Sequence, residues 1–405
     1  MDSRTRKDDA GFEFQVSDTR TRLGTALLGY VLAVTLVVTL LPFQFAWPQY
    51  WHMRIGYEPY DMVLNVFLFM PLGFLYRMVT PHGWSAMALV VVKAALISVA
   101  IEAVQLFDPT REATVLDVVT STFGALVGAA AFDRIARSAR LRGRILGWLG
   151  LEIPLMGLVY MLVPLLWVNT LAARGELVPT LGTFLIGAFG AVLLGGLQRE
   201  YFGPLRAAAP DRTAGFAALW FVAGAFAMLP WRPFELAGGA CVIAVLCGWL
   251  GRRSSSAPGA NRRFEAALLR AAAPLYAAYL ALLIISPVVD ATVEWHGDLG
   301  FPAIGASRVE TARLLEVCAA FTLLGYMVAE SRGREVVRYR NVLRYLVAWA
   351  VALAVATETA RGFGLHGASL ARGGLLVAAC FYGGWLYYLQ RAHVIWLVSR
   401  PAGAK

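Results

Sequence analysis

Residues 61–79 read Asp61-Met-Val-Leu-Asn65-Val-Phe-Leu-Phe69-Met-Pro71-Leu-Gly73-Phe-Leu-Tyr76-Arg77-Met-Val. No charged residue stands between Asp61 and Arg77. A predominantly apolar run of about 20 residues is the length of a transmembrane helix. Asp61 and Asn65 are four apart, which puts them on one helical face.

Similar runs lie on both sides. Working outward, apolar segments occur at about 23–46, 84–107, 114–133, 150–172, 178–197, 213–230, 233–250, 266–289, 309–329, 342–361 and 371–390. With 61–79 they make about 12 spans. The whole chain agrees: of 405 residues, 59% are hydrophobic and 15% charged, against about 25% charged in a soluble domain. The mean hydropathy is +0.61. These values exclude a disordered chain, a basic nucleic-acid binder and a disulfide-stapled secreted domain. The fold class expected is all-α, a polytopic transmembrane helical bundle. The first run is not expected to be a cleavable signal peptide, because it follows a polar arm, is long and lacks a small-residue cleavage site.

The net charge of +10 is almost all arginine; Lys7, Lys93 and Lys405 are the only lysines. Basic residues concentrate in the N-terminal arm, in the even-numbered connections and in the tail. Far fewer, such as Arg54, Arg174 and Arg232, fall in the odd-numbered connections. Because cytoplasmic loops collect Lys and Arg, this bias predicts both termini inside. The domains expected are a cytoplasmic polar arm (1–22), three four-helix modules (23–136, 148–251 and 264–391) and a cytoplasmic tail (392–405). Cys241, Cys247, Cys318 and Cys380 all fall within spans and read as small buried hydrophobes. With no Cys/His metal spacing, neither a metal nor a cofactor is expected.

Ionisable residues inside a span are costly and mark functional sites by default. They gather in the first module. Ser98, Glu102 and Gln105 share a face near the end of the third span. A loop containing Asp108, Arg111 and Glu112 follows, and the fourth span opens with Asp117, then Ser121, Gly124 and Gly128. Under the expected topology, Asp61, Asn65, Glu102, Gln105, Arg111 and Asp117 all lie at one depth, in the outer leaflet, as a ligand-binding set. The plain alternative is that Asp61 and Asp117 are N-terminal caps and Arg111 pairs with a carboxylate. Glu102 lies inside its span, so capping does not account for it. The middle module is rich in Gly, with Asn169 and Glu235 expected near the outer surface.

The order Asp61, Asn65, Phe69, Pro71, Gly73, then Glu102, Gln105, Arg111, then Asp117, Gly124, Gly128 resembles the VanZ-like membrane family over about residues 25–135. Pro42 and Phe43 at the end of the first span fit as well. Thr120-Ser121-Thr122 departs from the family pattern, which has Asn before a Thr-Gly stretch. The resemblance implies a bacterial four-helix membrane module, in a family whose founding member is associated with resistance to the glycopeptide teicoplanin. It therefore implies a multi-pass protein of the bacterial cytoplasmic membrane.

A degenerate second copy is expected over about 268–390. Pro287 stands for Pro42 and Gly325 for Gly73. Ala354-Val-Ala-Thr-Glu358 echoes Ser98-Val-Ala-Ile-Glu102. Eight helices separate the copies, which makes the repeat parallel, about an axis along the membrane normal. Arg313 replaces Asp61, Val317 replaces Asn65 and Arg361 replaces Gln105. Arg313, Glu316, Glu358, Arg361, His366 and Arg372 then form a secondary, more basic cluster. It suits an anionic head group or polysaccharide phosphate, or it is closed internally by ion pairs.

The function expected is recognition of a lipid-linked, glycopeptide-like or envelope polysaccharide-related ligand at an outer-leaflet polar pocket. The alternative is a secondary transporter or flippase of a lipid-linked or anionic envelope intermediate. The partners expected are membrane lipid and lipid-linked precursors or polysaccharide machinery, not nucleic acid. No nucleophile–base pair is visible, so no catalytic residue is assigned and an enzyme is the weakest expectation.

Overall fold

In the computed structural model, described residues are 19–40, 43, 45–47, 59–80, 84–109, 113–141, 154–173, 176–202, 209–253, 264–288, 294–300, 308–333, 339–364 and 367–399. Each of the twelve apolar runs forms a helix. These are α1 (Thr19–Leu40), α2 (Pro59–Val79), α3 (Trp84–Gln105), α4 (Val115–Leu141), α5 (Pro154–Ala173) and α6 (Leu177–Leu197). They continue as α7 (Pro210–Ala225), α8 (Pro233–Arg252), α9 (Phe264–Ile285), α10 (Arg308–Gly333), α11 (Tyr339–Gly362) and α12 (Leu370–Ser399). The protein is an all-α polytopic bundle. Among the described residues, nine of these helices are long and apolar enough to cross a membrane, and α1, α7 and α12 fall outside that set. Helix α7 is only 16 residues long and is extended by a 3₁₀ turn, Phe226–Met228.

Helices α5 and α10 form the centre. Their apolar windows are 83% buried, against 28% for α3 and for α11. Leu155, Leu158, Leu162, Leu165 and Leu166 on α5 are fully enclosed. A helix that is apolar all round must be enclosed or face lipid, and here both kinds occur. On α3, Val92, Leu96 and Val99 stay exposed, and on α11 Val347, Val351 and Val355 do.

The most extensive packing joins α2 to α4 and α10 to α12. Small residues make it possible, because without Cβ the backbones approach closely. A Cβ at Gly73 would collide with the Ala125 carbonyl, and one at Gly128 with the Met70 carbonyl. A Cβ at Gly325 would collide with the Cys380 carbonyl, and one at Gly383 with the Thr322 carbonyl. Helix α1 also packs against α12, where the Tyr382 hydroxyl donates to the Ala26 carbonyl at 2.9 Å.

Two short strands, Gly297–Asp298 (β1) and Ala368–Ser369 (β2), pair in parallel with Gly297 opposite Ala368. They tie the α9–α10 connection to the start of α12.

Candidate functional site

Four helix ends meet at one side of the first module. Helix α3 ends at Gln105, and after a short turn Thr114 precedes α4. The Thr114 Oγ1 accepts from the Asp117 N–H at 3.1 Å. Thr114 therefore caps α4, as Ser and Thr do where a helix leaves its first N–H groups without partners. The Thr114 N–H donates to Glu102 Oε2 at 2.9 Å. Glu102 is 3% exposed, so its carboxylate lies buried at the positive end of α4, where the helix dipole favours negative charge.

Next to it, Asn65 Nδ2 of α2 donates to Asp117 Oδ1 at 2.8 Å. Gln105 Nε2 reaches α1 and donates to the Thr39 carbonyl at 2.8 Å. Asn65, Glu102, Gln105 and Asp117 are thus brought to one end of the module, each tied to a different helix. Asp61 is not drawn in. It is exposed in the first turn of α2 and, among the described residues, hydrogen-bonds none of the other four. Arg111 lies outside the described residues.

Of the α1–α2 connection, Ala46 and Trp47 lie against this end. Phe43 adopts φ +62°, a left-handed conformation that costs roughly 1–3 kcal/mol for a non-glycine residue and clusters at functional sites. The Ala46 N–H donates to the Phe107 carbonyl at 2.7 Å, and Trp47 stands edge-on to Phe107 at 5.8 Å. Asp108, 2% exposed, is enclosed beneath.

The C-terminal module has the same local geometry around Glu358. The Ser369 N–H donates to Glu358 Oε2 at 2.7 Å, and Ser369 Oγ accepts from the Arg372 N–H at 3.2 Å. Ser369 thus stands to α12 as Thr114 stands to α4, and Arg372 occupies the place of Asp117. Arg372 Nε and Nη2 then hold Glu358 at 2.8 and 2.6 Å, a bidentate pair.

Of the secondary set, Arg313, Glu316, Glu358 and Arg372 all lie close enough to act electrostatically on Arg361, and most of these charges are paired. Arg313 pairs with Glu176 at 2.6 Å, while Glu358 is held by Arg372. Glu316 is 2% exposed and turns towards the middle module. There Asn169 Nδ2 donates to its Oε1 at 2.7 Å, while the Tyr279 hydroxyl of α9 donates to the same oxygen at 3.0 Å. The Thr183 hydroxyl completes the chain by donating to Asn169 Oδ1 at 2.6 Å. The Arg361 residue is half-buried, and among the described residues its side chain makes no hydrogen bond or ion pair. His366 lies outside the described residues.

Asn169 lies near the end of α5 and is 1% exposed, because α10 covers it. Glu235 is partly exposed and pairs with Arg232 at 3.0 Å. The sequence reading passed over Thr114, Tyr279 and Thr183. Thr114 carried a signal, since Thr114-Val-Leu-Asp117 has the spacing of a capping box. Tyr279 and Thr183 carried none, as each looks like any other residue of an apolar helix.

Compared with known proteins, residues 12–137 match the VanZ/LLP1 family model. No curated protein and no solved structure matches the chain.

Proposed function

Starting from residues 12–137 as a VanZ-like domain of a multi-pass membrane protein, we propose that this domain recognises an envelope ligand at the Glu102 end. The ligand class is lipid-linked, glycopeptide-like or related to envelope polysaccharide. Asn65, Glu102, Gln105 and Asp117 supply the polar contacts, with Arg111 contributing from the adjoining loop. The supporting observation is Glu102 itself. A buried carboxylate near the end of a span, set at a helix N-terminus, is a costly placement that favours a role in binding cationic or hydroxyl groups of a ligand. The arginine bias places this end outside the cytoplasmic membrane of a bacterium, with both termini inside.

On this reading the last four helices are a second, degenerate copy of the domain. The paired collisions at Gly73 and Gly325 and at Gly128 and Gly383 support it. So do the matched Glu102–Thr114 and Glu358–Ser369 hydrogen bonds. Arg372 fills the second copy's site from within, which leaves the first copy as the ligand-binding one.

The test is complementation of a deletion strain by Glu102→Gln, with membrane insertion checked in parallel. We expect normal insertion and a large loss of the envelope phenotype. Activity equal to wild type would sink the proposal.

The transporter reading keeps one observation of its own. Glu316 is the ninth residue of α10, roughly 12 Å along the helix from its start. Its buried polar chain joins the middle and C-terminal modules.

A further inference from the structure

Midway along the first four helices a different arrangement occurs. An apolar crevice of about 100 Å³ opens between α1, α2 and α3. Leu28 and Leu32 of α1, Leu72 of α2, and Val90, Ala94 and Ile97 of α3 line it. One lining residue is charged. Lys93 is the tenth residue of the 22 in α3, near the middle of the span, and its side chain is exposed on the lipid-facing surface. A charge placed there is costly and calls for a partner.

Among the described residues no carboxylate provides one; the Lys93 ammonium lies over the Tyr76 ring, 4.8 Å from its centre. The nearby cation Arg77 is 3% exposed and is already paired with Asp133, Nε to Oδ1 3.0 Å. Tyr76 lies three residues before Val79, the last residue of α2. At about 1.5 Å per residue, Lys93 stands roughly 13 Å along α3 from Trp84, and a long basic side chain with an apolar stem can carry its charge from such a depth towards the interface.

We propose that this crevice is a binding site for an anionic phospholipid. The lipid phosphate pairs with Lys93 beside Tyr76. An acyl chain enters between Leu32, Leu72 and Ala94, and continues along Leu96 and Val99, which are exposed further along the same helix. The apolar lining and the single uncompensated cation at its mouth match the two halves of such a molecule. A soluble anion would use the cation and leave the crevice unfilled. Lys93 is nine residues before Glu102 on α3, and the site stands or falls independently of it.

The experiment uses the full chain, purified and incubated in mixed micelles holding equal amounts of phosphatidylglycerol and phosphatidylcholine, with retained lipid counted by native mass spectrometry. Wild type is expected to retain phosphatidylglycerol preferentially. Lys93→Gln lowers that preference about fivefold, the effect of one basic residue at an anionic surface, while Lys93→Arg keeps it. Ala94→Leu, which narrows the crevice but keeps the cation, lowers retention of both lipids. An unchanged preference in Lys93→Gln overturns the proposal, and so does unchanged retention in Ala94→Leu. Because Lys93 is on the lipid-facing surface, Lys93→Gln leaves the packed core intact, so loss of folding does not obscure the result.

Discussion

Glu102 and Glu358 face the same physical problem and solve it in the same first step, by taking an N–H from the residue that caps the next helix. They differ in what stands three residues further on. Asp117 beside Glu102 is an acid held by Asn65, whereas Arg372 beside Glu358 is a base that closes on it. Removing one partner of a buried pair leaves an uncompensated charge and costs about 3–5 kcal/mol. Glu358 keeps the Ser369 N–H, so Arg372→Gln is expected at about 3 kcal/mol, the low end of that range. The double variant Glu358→Gln/Arg372→Gln should recover most of the loss, as measured by unfolding in detergent. Equal stabilities of the single and double variants would show that the two side chains are not coupled. Glu102 was visible as a site residue because a carboxylate inside an apolar run has few structural explanations. Its partner Thr114 was visible only as a cap, since sequence spacing does not say whose carboxylate a helix start will meet.

At the scale of elements, the close pairs α2–α4 and α10–α12 depend on glycines whose neighbours are backbone atoms. A backbone carbonyl cannot move aside as a side chain can, so adding even a methyl group there forces the helices apart. Gly128→Ala and Gly383→Ala are each expected to destabilise by roughly 1–3 kcal/mol, the usual cost of overpacking. Gly238→Ala and Gly374→Ala are the controls, for nothing lies within 4 Å of a Cβ at either position. They should be neutral or slightly stabilising, since Ala is the better helix former by about 1 kcal/mol. Thermal unfolding of the four variants decides it, and a loss at Gly238 as large as that at Gly128 would contradict the packing argument. The Gly124 and Gly128 face was legible from its spacing of four. Gly383 was not, because Gly384 follows it and faces Leu346 of α11 instead.

For the whole molecule, the distribution of arginine makes the firmest topological statement. In a background lacking the native cysteines, Cys introduced at Thr110 or Leu299 should react with a membrane-impermeant maleimide added from outside intact cells. Labelling only after the membrane is opened would reverse the orientation. Sequence alone determined the helices and their number. It did so because the hydrocarbon core requires each span to be apolar and to satisfy its own backbone hydrogen bonds, and this leaves a signal in every segment separately. It also singled out Glu102, since a charge in such a segment stands out against its neighbours. Only the tertiary structure decided that α5 and α10 form the centre, that Glu316 meets Asn169 and Tyr279, and that Lys93 lies beside an apolar crevice. Those outcomes depend on which faces of different helices meet. In a chain apolar on nearly every face, hydrophobicity does not distinguish a helix neighbour from lipid.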